Sequence, residues 1–160
     1  MATPDAAKDG AYVMAQEILH RMNNISLVRG VDLPARQVIY PSAIPVDCAQ
    51  VAIMFVGWVP TATAEGYAAA AGCIRFKWAV NFSVLILRET PSVMEKRRMP
   101  TADSMNEAGL IASNDADVLV DLVNTFGEIG PEFSLVAAAP EGGFQGVQLD
   151  VVLPQFGGLD

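Results

Sequence analysis

Between Ile74 and Ile86 every second residue is large and apolar: Ile74, Phe76, Trp78, Val80, Phe82, Val84 and Ile86. Arg75, Lys77, Asn81 and Ser83 lie between them. Seven apolar residues in strict alternation do not fit the 3.6-residue period of a helix; they make an antiparallel strand with one greasy and one polar face. Such a face has to be covered, so the chain must supply a sheet around this strand and something to pack on it. Leu85 and Leu87 turn the polar face apolar at the strand's end. At about 14 residues the run exceeds the usual five or six, and its far end is expected to project beyond the sheet as an extended β-hairpin arm.

The rest of the chain supplies the cover. Ala7, Ala11, Met14, Ile18, Met22 and Ile25 recur at spacings of three and four, predicting a helix from about Pro4 to Val28. Thr3 is its expected cap, and Gly30 and Pro34 end it. A short strand is predicted at Arg36–Tyr40. Gln50–Val59, apolar and β-branched on both faces, is predicted as an interior strand with Phe55 and Trp58 in the core. After a polar loop from Glu89 to Pro100, Thr101 is placed to cap a second helix running to about Phe126. Its buried stripe is expected at Met105, Ala108, Ala112, Leu119, Leu122 and Phe126. Phe133–Ala138 and residues 146–153 read as two strands around the turn Pro140–Gly143, paired as a hairpin. The reading is one α+β domain over residues 1–160: a mostly antiparallel, mixed sheet with two main helices packed on one side and a long extended hairpin arm.

Composition excludes several function classes. The chain is 52% hydrophobic and only 18% charged, against a usual charged share of about 25%, which excludes a disordered protein and favours burial against partners. No run of about 20 apolar residues is present, so no membrane partner is expected. The opening Met-Ala-Thr-Pro-Asp lacks the basic-then-apolar pattern of a signal peptide, and the chain is expected to start and stay in the cytosol. The charge is uneven. Residues 1–98 hold ten basic and eight acidic side chains and carry +2, whereas residues 99–160 hold ten acids and no base and carry −10. Lys96-Arg97-Arg98 is the only basic cluster, too small for a duplex-binding surface. The acidic stretch reads either as a solvated surface that aids solubility or as one edge of a head-to-tail oligomer, in which a basic edge meets the acidic edge of the next copy.

No catalytic constellation is legible. His20, the single histidine, is expected in a helix as a structural residue. Cys48 and Cys73 are expected as small buried hydrophobes, with no CxxC and no zinc set. Asp115 and Asp117 are two apart on a helix and diverge, while Asp117 and Asp121 share a face that is either solvated or meets a cation. Gly142-Gly143 precede a strand rather than a helix, so they form a turn and not a phosphate loop. No enzyme activity, cofactor or metal is expected.

Several short segments, in their order, carry a resemblance. Leu33-Pro-Ala-Arg36 steps into the first strand, and Asp47-Cys-Ala-Gln-Val51 leads into the second. Arg88-Glu-Thr-Pro91 ends the long strand, Asn114-Asp-Ala-Asp117 lies mid-helix, and Gly142-Gly143 turns the closing hairpin. In this order and spacing the chain resembles the tail terminator proteins of long-tailed (siphovirus-like) phages of actinobacteria. The family's alanine-rich stretch after the first helix is missing here, and alanines stand instead around Tyr67–Ala71.

The resemblance implies a structural virion protein of the tail neck, assembled in the host cytoplasm. It implies a homo-hexameric ring that caps the tail tube protein, stops tube growth and joins a head–tail connector or stopper protein. Genomic DNA would pass through the lumen without specific binding. Closed rings need two different patches on each subunit. Arg75, Lys77, Leu85, Leu87 and Arg88 of the arm, Lys96, Arg97 and Arg98 of the following loop, and Asp117 and Asp121 are the expected subunit, tube or connector contacts. The alternatives are another neck component (a head-completion or connector-adaptor protein), the tail tube subunit, and a small ligand-binding α+β module.

Overall fold

The computed structural model describes residues 10–41, 47–61, 77–91, 99–127, 132–138 and 143–154. Helix α1 spans Ala11–Arg29, strand β1 Gln37–Tyr40, β2 Gln50–Thr61 and β3 Lys77–Glu89. Helix α2 spans Ala102–Asn124, β4 Phe133–Ala138 and β5 Phe144–Pro154. This is the α-β-β-β-α-β-β order of a single α+β domain. The expected helix start at Pro4, the strand residues 74–76, Cys73 and most of the turn at 140–143 lie outside the described residues.

One five-stranded sheet runs in the order β1-β2-β3-β5-β4. β1 and β2 are parallel, and every other neighbouring pair is antiparallel. The predicted hairpin of β4 and β5 forms, with Leu135 opposite Leu149. The long strand is the middle one. Lys77 to Leu87 pair with β2, and Ala79 to Glu89 pair with β5. Over its described length β3 is therefore held on both edges and does not project, contrary to the expected arm. Interior placement is the physical reason for its length, since ladders on two sides overlap along the run from Ala79 to Leu87.

The register lines up rows of side chains across the sheet. Ile53, Val84, Leu149 and Leu135 form one row, and Val51, Ile86 and Val147 the next. These rows point to the face on which Met14, Ile18 and Met22 of α1 and Leu119 and Leu122 of α2 pack, and together they form the core. Fully burying one such side chain contributes roughly 1.5–3 kcal/mol.

α1 ends as its sequence predicts. Gly30 takes a left-handed conformation, φ +68°, and the Val31 amide donates to the Ser26 carbonyl at 2.9 Å, closing the last turn. Thr101 caps α2, its hydroxyl accepting from the Ser104 amide at 3.2 Å. The helices run in opposite directions, because Arg21 of α1 meets the end of α2 at Thr125 while Arg29 meets Asp117 and Asp121.

Two expected core residues are not in the core. Met105, predicted in the buried stripe of α2, is 58% exposed, because it lies in the first turn, away from the second half of the helix that meets α1 and the sheet. Trp58 is 49% exposed. The register of β2 slips between Phe55 and Gly57, which re-aims the following side chains, and Trp58 rests edge-on against Phe55 at 5.9 Å.

Candidate functional site

The polar groups that join the elements are concentrated between β3, α1 and α2. Arg88 lies on the same face as Ile86, at the end of β3, and reaches Asp115 of α2. Its Nε donates to Oδ2 at 2.6 Å and its Nη2 to Oδ1 at 2.8 Å, a two-pronged pair, while Nη2 also donates to the Asp32 carbonyl at 2.7 Å. Asp115 is fully buried. The pair holds the Arg88 guanidinium above its ordinary pKa, through the hydrogen bond to Asp115 first. From sequence Asp115 reads as an unpaired helix acid. Its partner stands on another element, so no local signal gives the pair away.

Arg29 lies between the two acids that share a face of α2. Its Nε donates to Asp121, and its Nη1 stands 3.9 Å from Asp117. The hydrogen bond from Arg29 holds the Asp121 carboxyl below its ordinary pKa. Arg21 donates to the Thr125 carbonyl at 2.9 Å and lies 5.7 Å from the Phe126 ring centre, so a cation closes the negative end of α2.

A folded-state pKa below the unfolded value gives stability that is present at neutral pH and is lost as pH falls through the folded pKa. Asp121→Asn is therefore expected to lower the melting temperature at pH 7, with a difference that closes in acid below about pH 4 and with added salt. Thermal scans of both proteins across pH check this. A gap that persists in acid would assign the effect to something other than charge.

The expected contact residues fall into distinct places. Arg75, Lys96, Arg97 and Arg98 lie outside the described residues. Lys77 opens β3 opposite Thr61, and only its backbone is described. Leu85 is half-buried on the sheet face away from the helices. Leu87, on that same face, is fully buried within the chain, as is its ladder partner Gln50. Arg88, Asp117 and Asp121 all have partners inside the chain. Leu87 is thus taken up by the fold itself, while Arg88 is held by Asp115 and keeps part of its side chain exposed.

A different surface has no counterpart in the sequence reading. Beside the β1 edge, on the helix-bearing side of the sheet, a groove of about 400 Å³ is lined by Tyr12, Gln16, Leu19, His20, Asn23, Gln37 and Ile39. Asn23 and Gln37 exchange amide hydrogen bonds at 3.0 and 2.9 Å and tie α1 to β1 at its base. The His20 ring nitrogen Nε2 is 3.2 Å from the Asn24 amide. The described lining holds no carboxylate and no serine or cysteine; its side chains are apolar or able to hydrogen-bond. Cys48, half-buried, has its thiol pKa pushed up by burial and then by Asp47, the reverse of an activated thiolate. Among the described residues no three His, Cys, Asp or Glu side chains stand close enough to hold a metal. No described helix is long and apolar enough to cross a membrane.

No protein-family model matches the chain, and no curated protein matches it in sequence.

Proposed function

We propose that this chain is a structural virion protein: a tail terminator that closes into a ring, caps the tail tube, stops its growth and joins the tail to the head connector. One observation carries the reading. Two of the segments on which the resemblance rests, Arg88–Pro91 and Asn114–Asp117, lie far apart in sequence and meet through the Arg88–Asp115 pair. The other segments also fall at joints of the fold. Leu33–Arg36 leads into β1, Asp47–Val51 into β2, and Gly143, at φ +82°, into β5. Short segments without a shared chemistry are what a scaffold built for assembly needs at its joints, since its task is to hold surfaces in register rather than to transform a ligand. The excess of acid over base, −8 per copy, supports a lumen that repels DNA and lets it slide.

The test is the mass of the purified chain by light scattering, alone and with tail tubes, together with electron microscopy of tube ends. The expected result is a closed species near six times the mass of one chain that seats on tube ends and grows no further. Open-ended polymers of the chain alone would identify a tube subunit. A monomer that never caps tubes would leave the small ligand-binding module.

A further inference from the structure

The two edges of the sheet are complementary to each other. β1 and β4 are the outermost strands, and no described strand pairs with their outer sides. Exposed edges are commonly protected by lysine, proline or a bulge; Gln37–Tyr40 and Phe133–Ala138 contain no charge and no proline, and neither shows a register slip. Following the ladder, β1 and β2 point one way, β3 the other, β5 back again and β4 opposite to it. A second copy placed so that its sheet continues this one therefore sets its β1 antiparallel to β4, the ordinary and slightly more stable pairing.

Such continuation also keeps the two faces of the sheet aligned. On the helix-bearing side of β4, Phe133 is 54% exposed, with Leu135 beside it half-buried. On the same side of the β1 edge lies the groove of Tyr12, Leu19 and Ile39, with Tyr12 itself 51% exposed. One edge thus offers an unburied aromatic ring, and the other offers a concavity in which Tyr12, Leu19 and Ile39 stand among the polar side chains of Gln16, His20, Asn23 and Gln37. Because β1 is only four residues long, backbone pairing alone would be brief, and the ring in the groove supplies the apolar area that the short ladder lacks.

Charge selects between the ways two copies could meet. β1 belongs to the half that carries +2 and β4 to the half that carries −10. A twofold contact of β4 on β4 would bring the two acidic halves together, whereas β4 on β1 brings unlike halves together.

We infer that a second copy of this chain docks head to tail, β4 of one subunit against β1 of the next, with Phe133 seated in the groove between α1 and β1. This inference rests on the ring reading for closure and names the surface through which the ring closes. The contact is heterologous, so it generates a ring or an open helix and leaves no symmetric dimer.

The test uses the whole chain carrying Phe133→Asp or Tyr12→Asp, with light scattering for mass, tube-end capping for function and circular dichroism for the fold. Each substitution is at an exposed site and is expected to leave the circular dichroism unchanged while abolishing the ring. Mixing the two variants restores one intact contact per pair, groove from one and Phe133 from the other, and should stop at a dimer. A ring whose mass and capping survive both substitutions overturns this interface and leaves the ring reading standing. A mixture that stays monomeric while the wild type forms rings overturns the head-to-tail arrangement. A wild-type chain that is monomeric both alone and on tubes overturns the ring reading and the interface with it.

Discussion

Gly146→Ala is expected to be among the most damaging single-methyl changes in this protein. Gly146 stands opposite Leu87 where β5 crosses the end of β3. A Cβ placed there would overlap the Ile86 carbonyl oxygen and lie 2.9 Å from its carbon and 3.1 Å from the Leu87 Cα. All three are backbone atoms, so no side chain can swing away to make room. Relief requires β5 to lift off β3, which pulls apart the row of Val51, Ile86 and Val147 beneath. Overpacking of this kind costs about 3 kcal/mol, and for a chain of this size that is roughly 6–12 °C in melting temperature. Gly109→Ala is the matching control. Gly109 lies on the exposed side of α2 with nothing within 4 Å of its would-be Cβ, and alanine there should stabilise by about 0.5–1 kcal/mol. Thermal or denaturant unfolding of the two variants decides the matter. Equal melting temperatures would refute the close approach of β5 to β3.

Arg88→Met should be comparably severe, for an electrostatic reason. It leaves the Asp115 carboxylate buried without its cation, and breaking a buried pair from one side costs about 3–5 kcal/mol. The outward part of Arg88 keeps some contact with water, so the lower end of that range is expected, near ~3 kcal/mol. The double variant Arg88→Met with Asp115→Leu removes both charges and should regain most of the loss, since two apolar groups of similar size need no compensation there. Denaturant unfolding of the two single variants and the double closes a cycle. Strict additivity of the single losses would mean that the pair is not coupled. Added salt should barely change the result, because the carboxylate is out of reach of the solvent's ions.

What the sequence discloses and what it conceals follow the range of the forces involved. The alternation up to Ile86 is a local pattern, and β3 appears where that pattern predicts it. The same holds for Gly30 ending α1, for Thr101 capping α2 and for the hairpin of β4 and β5, each fixed within a short stretch of chain. Strand order is not local. Nothing in Phe144–Pro154 says that β5 will slip between β3 and β4, or that β1 will lie parallel to β2. In sequence Gly146 only opens the last predicted strand, and nothing marks a close approach there, because the carbonyl that excludes a side chain belongs to β3, on the far side of α2 and β4 in the chain. Asp115 reads only as an acid that diverges from Asp117, because its partner arrives from another element. The same non-locality hides the candidate contact surface. Tyr12, Ile39 and Phe133 are ordinary singly, and only the sheet sets the groove at one edge and the ring at the other. Leu87, which the sequence offers as a surface for a neighbour, is claimed by the chain itself.

The position of β5 carries a consequence for how the protein comes into being. β2 and β3 are successive strands, and so are β4 and β5, but the two pairs are fused only along the line where β5 meets β3. During synthesis the first three strands leave the ribosome with the middle of the future sheet as a bare margin. Phe82, Val84 and Ile86 then wait for their second partners until a whole helix and a further strand have followed. The nascent chain is thus held back from completion until β5 has been made. A chain that lacks β5 has no ladder partner for β4, so Phe133 is not set on the sheet edge until the last strand is made.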